Sequence, residues 1–125
     1  MPRATLIAAG VSAILVLWTT APALAGYGAL AYDEAAQKYG LSSDETSQGK
    51  ADDVATKECG SDKCKIIFRT GPKQCGAIAT EPSEKGTAWG AGKGSQRAAA
   101  ELDAVTNCQK HTKGQCKVRE WGCNK

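Results

Sequence analysis

The sequence predicts an α+β fold: one small disulfide-stapled domain of two β–loop–α–β units, packed about an approximate twofold with small antiparallel sheets and two helices outside. Three observations predict it. Six cysteines follow an export-type leader, an internal repeat sets those cysteines in order, and large apolar side chains are too scarce to hold a domain alone.

The leader comes first in the chain. Arg3 supplies a positive start, Leu6 to Trp18 is an uncharged apolar run, and Pro22 breaks any helix before Ala23-Leu24-Ala25. That order is the pattern of a cleaved secretory signal, with small side chains where a peptidase requires them. The competing reading, an uncleaved anchor, needs about 20 predominantly apolar residues to span a bilayer, and this run is shorter. Cleavage is expected between Ala25 and Gly26, leaving no stable membrane anchor, and Gly26 in place of a cysteine argues against a lipoprotein. A signal over residues 1–25 and a mature domain over 26–125, secreted or periplasmic, follow as expectations.

Residues 26–125 carry 15 basic and 13 acidic groups, a net charge of 15 − 13 = +2. Their second half is only mildly basic, far from the clustering of nucleic-acid domains, so no nucleic-acid partner is expected. The aromatics after the leader are Tyr27, Tyr32, Tyr39, Phe68, Trp89 and Trp121; alanine and glycine dominate the rest. A domain of this size is marginal on burial alone.

The repeat runs at an offset of 48 to 52 residues. Gly28-Ala29-Leu30-Ala31 returns as Gly76-Ala77-Ile78-Ala79, Tyr39-Gly40 as Trp89-Gly90, and Ser47-Gln48 as Ser95-Gln96. Cys59 is answered by Cys108, and Cys64-Lys65-Ile66 by Cys116-Lys117-Val118. Repeat one covers about 27–70 and repeat two about 75–123. Each opens on a short apolar strand (Tyr27–Tyr32; Cys75–Thr80), passes through a polar glycine-bearing loop, and enters an alanine-rich helix. The first helix spans about Gly49–Glu58 behind a Ser47 cap, with Ala51, Val54, Ala55 and Cys59 on one face. The second runs Gln96–Asn107 behind Ser95, with Ala98, Leu102, Val105 and Cys108 as its stripe. The closing strands are Lys65–Arg69 and Lys117–Trp121, and the alternation leaves open which of their faces is buried.

In an exported chain an even cysteine count reads as a disulfide framework, with 15 possible connectivities for six cysteines. The repeat places Cys59 and Cys108 at helix ends and Cys64 and Cys116 at the next strand, so the simplest symmetric pairing is Cys59–Cys64 and Cys108–Cys116. Cys75 and Cys123, beside neighbouring strands, form the remaining pair. Zinc is the competing use, but Cys59-x4-Cys64 sits at the limit of zinc-ligand spacing and Cys108-x7-Cys116 exceeds it. No metal and no cofactor are expected.

Tyr27-Gly-Ala-Leu-Ala-Tyr32, the helix ending Cys59-Gly60, Asp62-Lys63-Cys64-Lys65, Cys75-Gly-Ala-Ile-Ala79 and the terminal Trp121-Gly122-Cys123 resemble the bacterial secreted proteins grouped as domain of unknown function 4189. The likeness covers nearly all of the chain after the leader. It implies cysteines at Cys59, Cys64, Cys75 and Cys123, in agreement with pairing within Cys59/Cys64 and Cys75/Cys123, and a more variable Cys108/Cys116 pair. It implies no activity and no catalytic residues. The polar insert Asp33–Gln48 departs from shorter versions of the family.

Chemistry-bearing residues are few. His111, the single histidine, lies in the loop between Cys108 and Cys116; a general base there competes with an exposed loop histidine, and the two lysines beside it favour the latter. The carboxylate pairs Asp52/Asp53 and Glu101/Asp103 could divide acid and base roles, but solvated helix faces explain them. Gly86–Ser95 looks phosphate-friendly, yet Thr87 stands where a phosphate loop needs its first glycine. Trp89 and Tyr39 hold matching positions and either seal the core or are displayed for interaction. The expectation is an exported, non-enzymatic interaction module whose partner is an unidentified host protein or envelope component, with no catalytic residue assigned. A small carboxylate hydrolase and an inhibitor of a foreign enzyme are the alternatives.

Overall fold

The structure, a computed structural model, describes residues 26–83 and 86–125. In chain order the elements are β1 (Tyr27–Asp33), β2 (Lys38–Glu45), α1 (Gln48–Cys59), β3 (Lys65–Thr70), β4 (Cys75–Ser83), β5 (Gly86–Gly94), α2 (Arg97–Gln109) and β6 (Lys117–Cys123). They form two antiparallel three-stranded sheets, ordered β2-β1-β3 and β5-β4-β6.

Each central strand is buried on both faces, and its alternation assigns a partner to each face. Ala29 and Ala31 of β1 pack under α1 with Ala51, Ala55 and Cys59, whereas Ala77 and Ala79 of β4 pack under α2 with Ala100, Ala104 and Cys108. Leu30, Tyr32, Leu41 and Ile78 point the other way and meet between the sheets, joined by Tyr39, Phe68, Trp89 and Ala91. The layers are therefore helix, sheet, sheet, helix. The fully buried side chains against the helices are small, alanine and cysteine, and the fully buried large ones, Leu30 and Ile78, face the opposite sheet.

The expected loops after β1 and β4 are strands, so each segment reads ββαβ. Glycines conceal β5 from a propensity reading, because glycine is a poor strand former, and they are there to admit the helix. A Cβ on Gly90 would stand 2.1 Å from the amide nitrogen of Cys108, and one on Gly92 2.3 Å from Ala100 O and Ala104 N. Gly40 of β2 meets α1 in the same way, with Ala55 O at 2.1 Å. Beside it, Ser42 Oγ donates to Ala51 O at 2.7 Å and accepts from Ala29 N at 3.0 Å.

Backbone contact also decides which stripe α2 buries. Of the expected stripe Ala98, Leu102, Val105 and Cys108, Cys108 is buried and Val105 packs against the same core, but Ala100 and Ala104 stand in place of Ala98 and of Leu102, which is 69% exposed. The N-cap of α2 is Gln96 rather than Ser95, and its side chain makes no capping bond. In α1 Ser47 caps the helix by accepting from Lys50 N at 3.1 Å, and Gly60 closes it in the left-handed conformation at φ 77°.

Both closing strands carry a bulge. Leu30 pairs with Phe68 but Ala31 with Ile66; Ile78 pairs with Glu120 but Ala79 with Val118. The extra residues are Ile67 and Arg119, and each bulge carries the strand from one face to the other. Hence Ile66 joins the α1 layer while Phe68 lies between the sheets, which a strict two-residue period cannot express.

The cysteines are bonded as Cys59–Cys64, Cys75–Cys123 and Cys108–Cys116. Cys75 and Cys123 face each other in register across β4 and β6. Polar ties complete the frame. Asn124, buried at the C-terminus, accepts from Asp44 N at 2.9 Å and donates to Thr70 Oγ1 at 2.9 Å and Gly71 O at 2.8 Å. It thereby fastens the last residues to β2 and to the β3–β4 connection.

Two outcomes follow for urea denaturation of the oxidised protein. Replacing both Cys75 and Cys123 by serine costs about 4 kcal/mol, against about 2 to 3 kcal/mol for either short-loop pair, on loop-closure entropy. Gly90→Ala costs about 3 kcal/mol because the added methyl meets helix backbone, whereas Gly49→Ala, in open space within α1, stabilises by about 0.5 to 1 kcal/mol.

Candidate functional site

The candidate site is a cleft at one edge of the sandwich, between the β1–β2 hairpin, the bulge of β3, β5 and the end of α2. Asp33 shapes the hairpin. Its carboxylate accepts from Ala36 N at 3.1 Å and from Ser61 Oγ at 2.6 Å, which ties the turn to the α1–β3 connection. The Ser61 hydroxyl, with the Ala36 amide second, holds the Asp33 carboxyl below the usual carboxylate range.

The larger cavity, about 1010 Å³, has Ile67, Trp89 and Ala91 as apolar wall and Glu34, Gln37 and His111 among its polar residues. A smaller one of about 360 Å³ adjoins it beside Tyr32, Lys63 and Lys65. Glu34, Ala35, Ile67 and Trp89 line both. The bulge turns Ile67 out of the sheet, leaving it 38% exposed. Trp89 is half-buried and stacks on Tyr32 with ring centroids 4.4 Å apart and planes tilted by 31°. One face of the indole is thus covered, and its remaining surface borders the cavities. Trp89 seals the space between the sheets and lines the cleft at once; Tyr39 is half-buried in the same inter-sheet cluster.

Tyr32 is 3% exposed, and its hydroxyl is the buried side-chain polar atom without a hydrogen-bond partner among the described residues. Burial, then the nearby Glu34 and Asp33 charges, push the phenol above its ordinary value, so it keeps its proton at neutral pH. The position across the sandwich is settled differently: Thr80 Oγ1 accepts from Arg119 Nε at 2.9 Å.

The other candidates disperse. His111 is exposed on the cleft rim. Asp52 is held by the Arg69 guanidinium at 2.8 Å, which lowers its carboxyl's pKa, and Asp53 is exposed. Glu101 pairs with Arg97, and Asp103 Oδ2 accepts from Lys93 N at 3.2 Å. Those carboxylates tie the helices to themselves or to strands. Gly86–Ser95 is strand β5 for most of its length, not a phosphate-binding loop. Among the described residues no three His, Cys, Asp or Glu side chains are gathered to hold a metal. The Ala25–Gly26 junction is described only at Gly26, whose amide donates to Glu45 O at 3.1 Å; Ala25 and the leader lie outside the described residues. The sequence reading missed Ile67, Tyr32 and Asn124. A signal for the first existed: Ile66-Ile67-Phe68 puts three apolar residues in succession where a half-exposed strand should alternate.

The family model for Domain of unknown function (DUF4189) matches residues 27–123. The chain belongs to this DUF4189 family. It is 31% identical over 103 residues to uncharacterized proteins of Mycobacterium tuberculosis (Rv1813c) and Mycobacterium bovis (Mb1843c). Those 103 residues are 82% of this chain but 64% of either relative, so it spans less than two thirds of their length. The NMR structure of Rv1813c matches with a TM-score of 0.58 at 28% identity, covering 99% of each chain. DUF4189 membership carries no activity with it. The three disulfides are compatible with an extracellular location, as is the absence, among the described residues, of a helix long and apolar enough to cross a membrane.

One further ionisable group is out of place. Glu120 shares the inward face with Ile78, and burial, reinforced by Glu58, raises its carboxyl above the ordinary 4.5. A raised carboxyl is tolerated in its neutral form, so the stability present below about pH 4.5 is lost as pH rises through the folded value. Glu120→Gln is therefore expected to be more stable than the parent at pH 7 and equal to it at pH 4, in paired thermal melts.

Proposed function

We propose that this DUF4189 protein works outside the cytoplasm as a non-enzymatic binding module, and that its ligand sits in the cleft floored by Ile67 and Trp89. The observation that carries this reading is the cleft itself. A bulge turns an aliphatic side chain outward beside an indole fixed by Tyr32, and polar side chains rim both. Ligand sites set apolar surface beside polar groups that orient the ligand, in a concavity of about 300 to 1,000 Å³. Three disulfides suit a scaffold that must hold such a surface rigid in an oxidising compartment. The expected signal over residues 1–25, cleaved before Gly26 to leave 26–125 as one domain, belongs to the same reading.

The same reading takes residues 27–70 and 75–123 as two copies of one unit about an approximate twofold. It is supported by the matched strand orders, by bulges at Ile67 and Arg119, and by glycines at 40 and 90 meeting their helices alike.

A hydrolase keeps one observation in its favour: His111 and Glu34 line the same cleft. The two readings separate on a screen of the oxidised protein against ester, glycan, peptide and phosphate substrates. No turnover is expected. Turnover abolished by Glu34→Gln or His111→Ala would make the protein an enzyme.

A further inference from the structure

We infer that the cleft is a saccharide-binding site, in which the free surface of Trp89 receives a sugar ring and the Tyr32 hydroxyl donates to one of its oxygens. The inference deepens the binding-module reading and rests on it.

The two bulges make the case. Each follows a buried hydroxyl on the central strand, Tyr32 beside Ala31 and Thr80 beside Ala79. In the second segment the bulge residue is Arg119, and its guanidinium satisfies Thr80. In the first the bulge residue is Ile67, which has nothing to donate or accept, and the Tyr32 hydroxyl is left without a partner. Buried polar groups are otherwise paired, so this lone hydroxyl, closed to water in the free protein, marks a place for a group that the protein does not supply and that a ligand reaches as the side chains over it shift. Tyr32 and Ile67 both line the smaller cavity. A phenol that keeps its proton offers a donor, and the group it calls for is an oxygen acceptor.

Charge then narrows the ligand. Around that cavity Asp33 and Glu34 stand against Lys63 and Lys65. The signs cancel, so the site is built for neither a cation nor an anion. What remains is a neutral ligand with an apolar face for Ile67 and Trp89 and oxygens for the Tyr32 hydroxyl and the polar rim. A pyranose has this division, with C–H groups on its faces and hydroxyls around its edge. The shared walls of the two cavities give room for consecutive rings, because a chain seated over Trp89 passes from one into the other.

The test uses the exported, oxidised protein labelled with ¹⁵N and titrated separately with chitotetraose, cellotetraose and maltotetraose. At least one should move the Trp89 indole N–H and the amides of Lys65 and Ile67 saturably, with Kd between about 10 μM and 1 mM. Tyr32→Phe should weaken that binding about tenfold while leaving the unfolding midpoint unchanged or higher, since the lost hydroxyl bonds to nothing in the free protein. Ile67→Arg, which places the second segment's bulge residue in the first, should abolish binding in a protein that still folds. Trp121→Ala, on the α2 side, should leave it unchanged. Three results would each overturn the assignment: no saturable shift with any of the three sugars up to about 10 mM, two decades above a 100 μM Kd; an affinity indifferent to Tyr32→Phe; or shifts at Trp89 produced by a random-sequence peptide mixture and not by sugars, which makes the cleft a peptide groove. The peptide-groove result would sink the saccharide site and leave the cleft standing as a binding site, whereas a protein partner captured elsewhere on the surface, with Trp89 silent to sugars, would sink both.

Discussion

Each helix lies on its sheet at backbone contact distance, and most of the architecture follows from that. With Gly40 under Ala55 and Gly90 under Cys108 there is no room for a Cβ, so the residues the helices bury fully are alanine and cysteine. Alanine buries little area, and hydrophobic stabilisation scales with area removed from water. The helix–sheet layers are therefore tight but energetically lean. The large side chains that are buried lie at the remaining interface, between the sheets, where Leu30, Tyr32, Leu41 and Ile78 meet. The alternation of small and large residues along β1 and β4 is the sequence record of this division.

A lean core shifts the work to ties that do not depend on apolar area. The three disulfides lie in or against the two helix–sheet cores, two at the turns leaving the helices and one across β4 and β6. Hydrogen bonds to buried or half-buried side chains serve the same end. Asn124 joins β2, the β3–β4 connection and the C-terminus; Asp33 joins a hairpin to the turn after α1; Ser42 joins β2 to β1 and α1. None of these groups is left half-satisfied, which matters because a buried polar group without a partner costs more than a formed bond returns. Against that background the free hydroxyl of Tyr32 stands apart.

The legible parts of the fold were those whose local signal and tertiary role agree. The opening strands are short apolar runs buried on both faces, and α1 has a serine cap and a left-handed glycine at its two ends. β5 was illegible because the feature it needs, glycine at positions 90, 92 and 94, is the one that suppresses strand propensity. The α2 stripe was right at Val105 and Cys108 and misplaced at Ala98 and Leu102 for a related reason: periodicity favours the larger apolar residues, Leu102 among them, whereas the glycine strand selects Ala100 and Ala104. Family resemblance rested on the cysteines and the opening strands, which are the elements fixed by packing. The cleft lay beyond either signal. It depends on the bulge, on the hairpin turn that Asp33 builds, and on a tryptophan from the other sheet, three features that share no stretch of sequence.

The two ββαβ segments differ most where that close packing leaves them free. Their central strands, bridged turns and contact glycines cannot vary without opening the helix–sheet layer. The β1–β2 turn and the bulge residues can, because they are exposed and the bulges lie on the edge strands β3 and β6. At the bulge one segment carries arginine and closes over its own threonine hydroxyl, while the other carries isoleucine and leaves a tyrosine hydroxyl unpaired beside a cavity. In a scaffold whose interior admits almost no change, such an edge is where a binding site can be made without loss of the fold. A single bulge side chain then decides whether the hydroxyl beside it is paired.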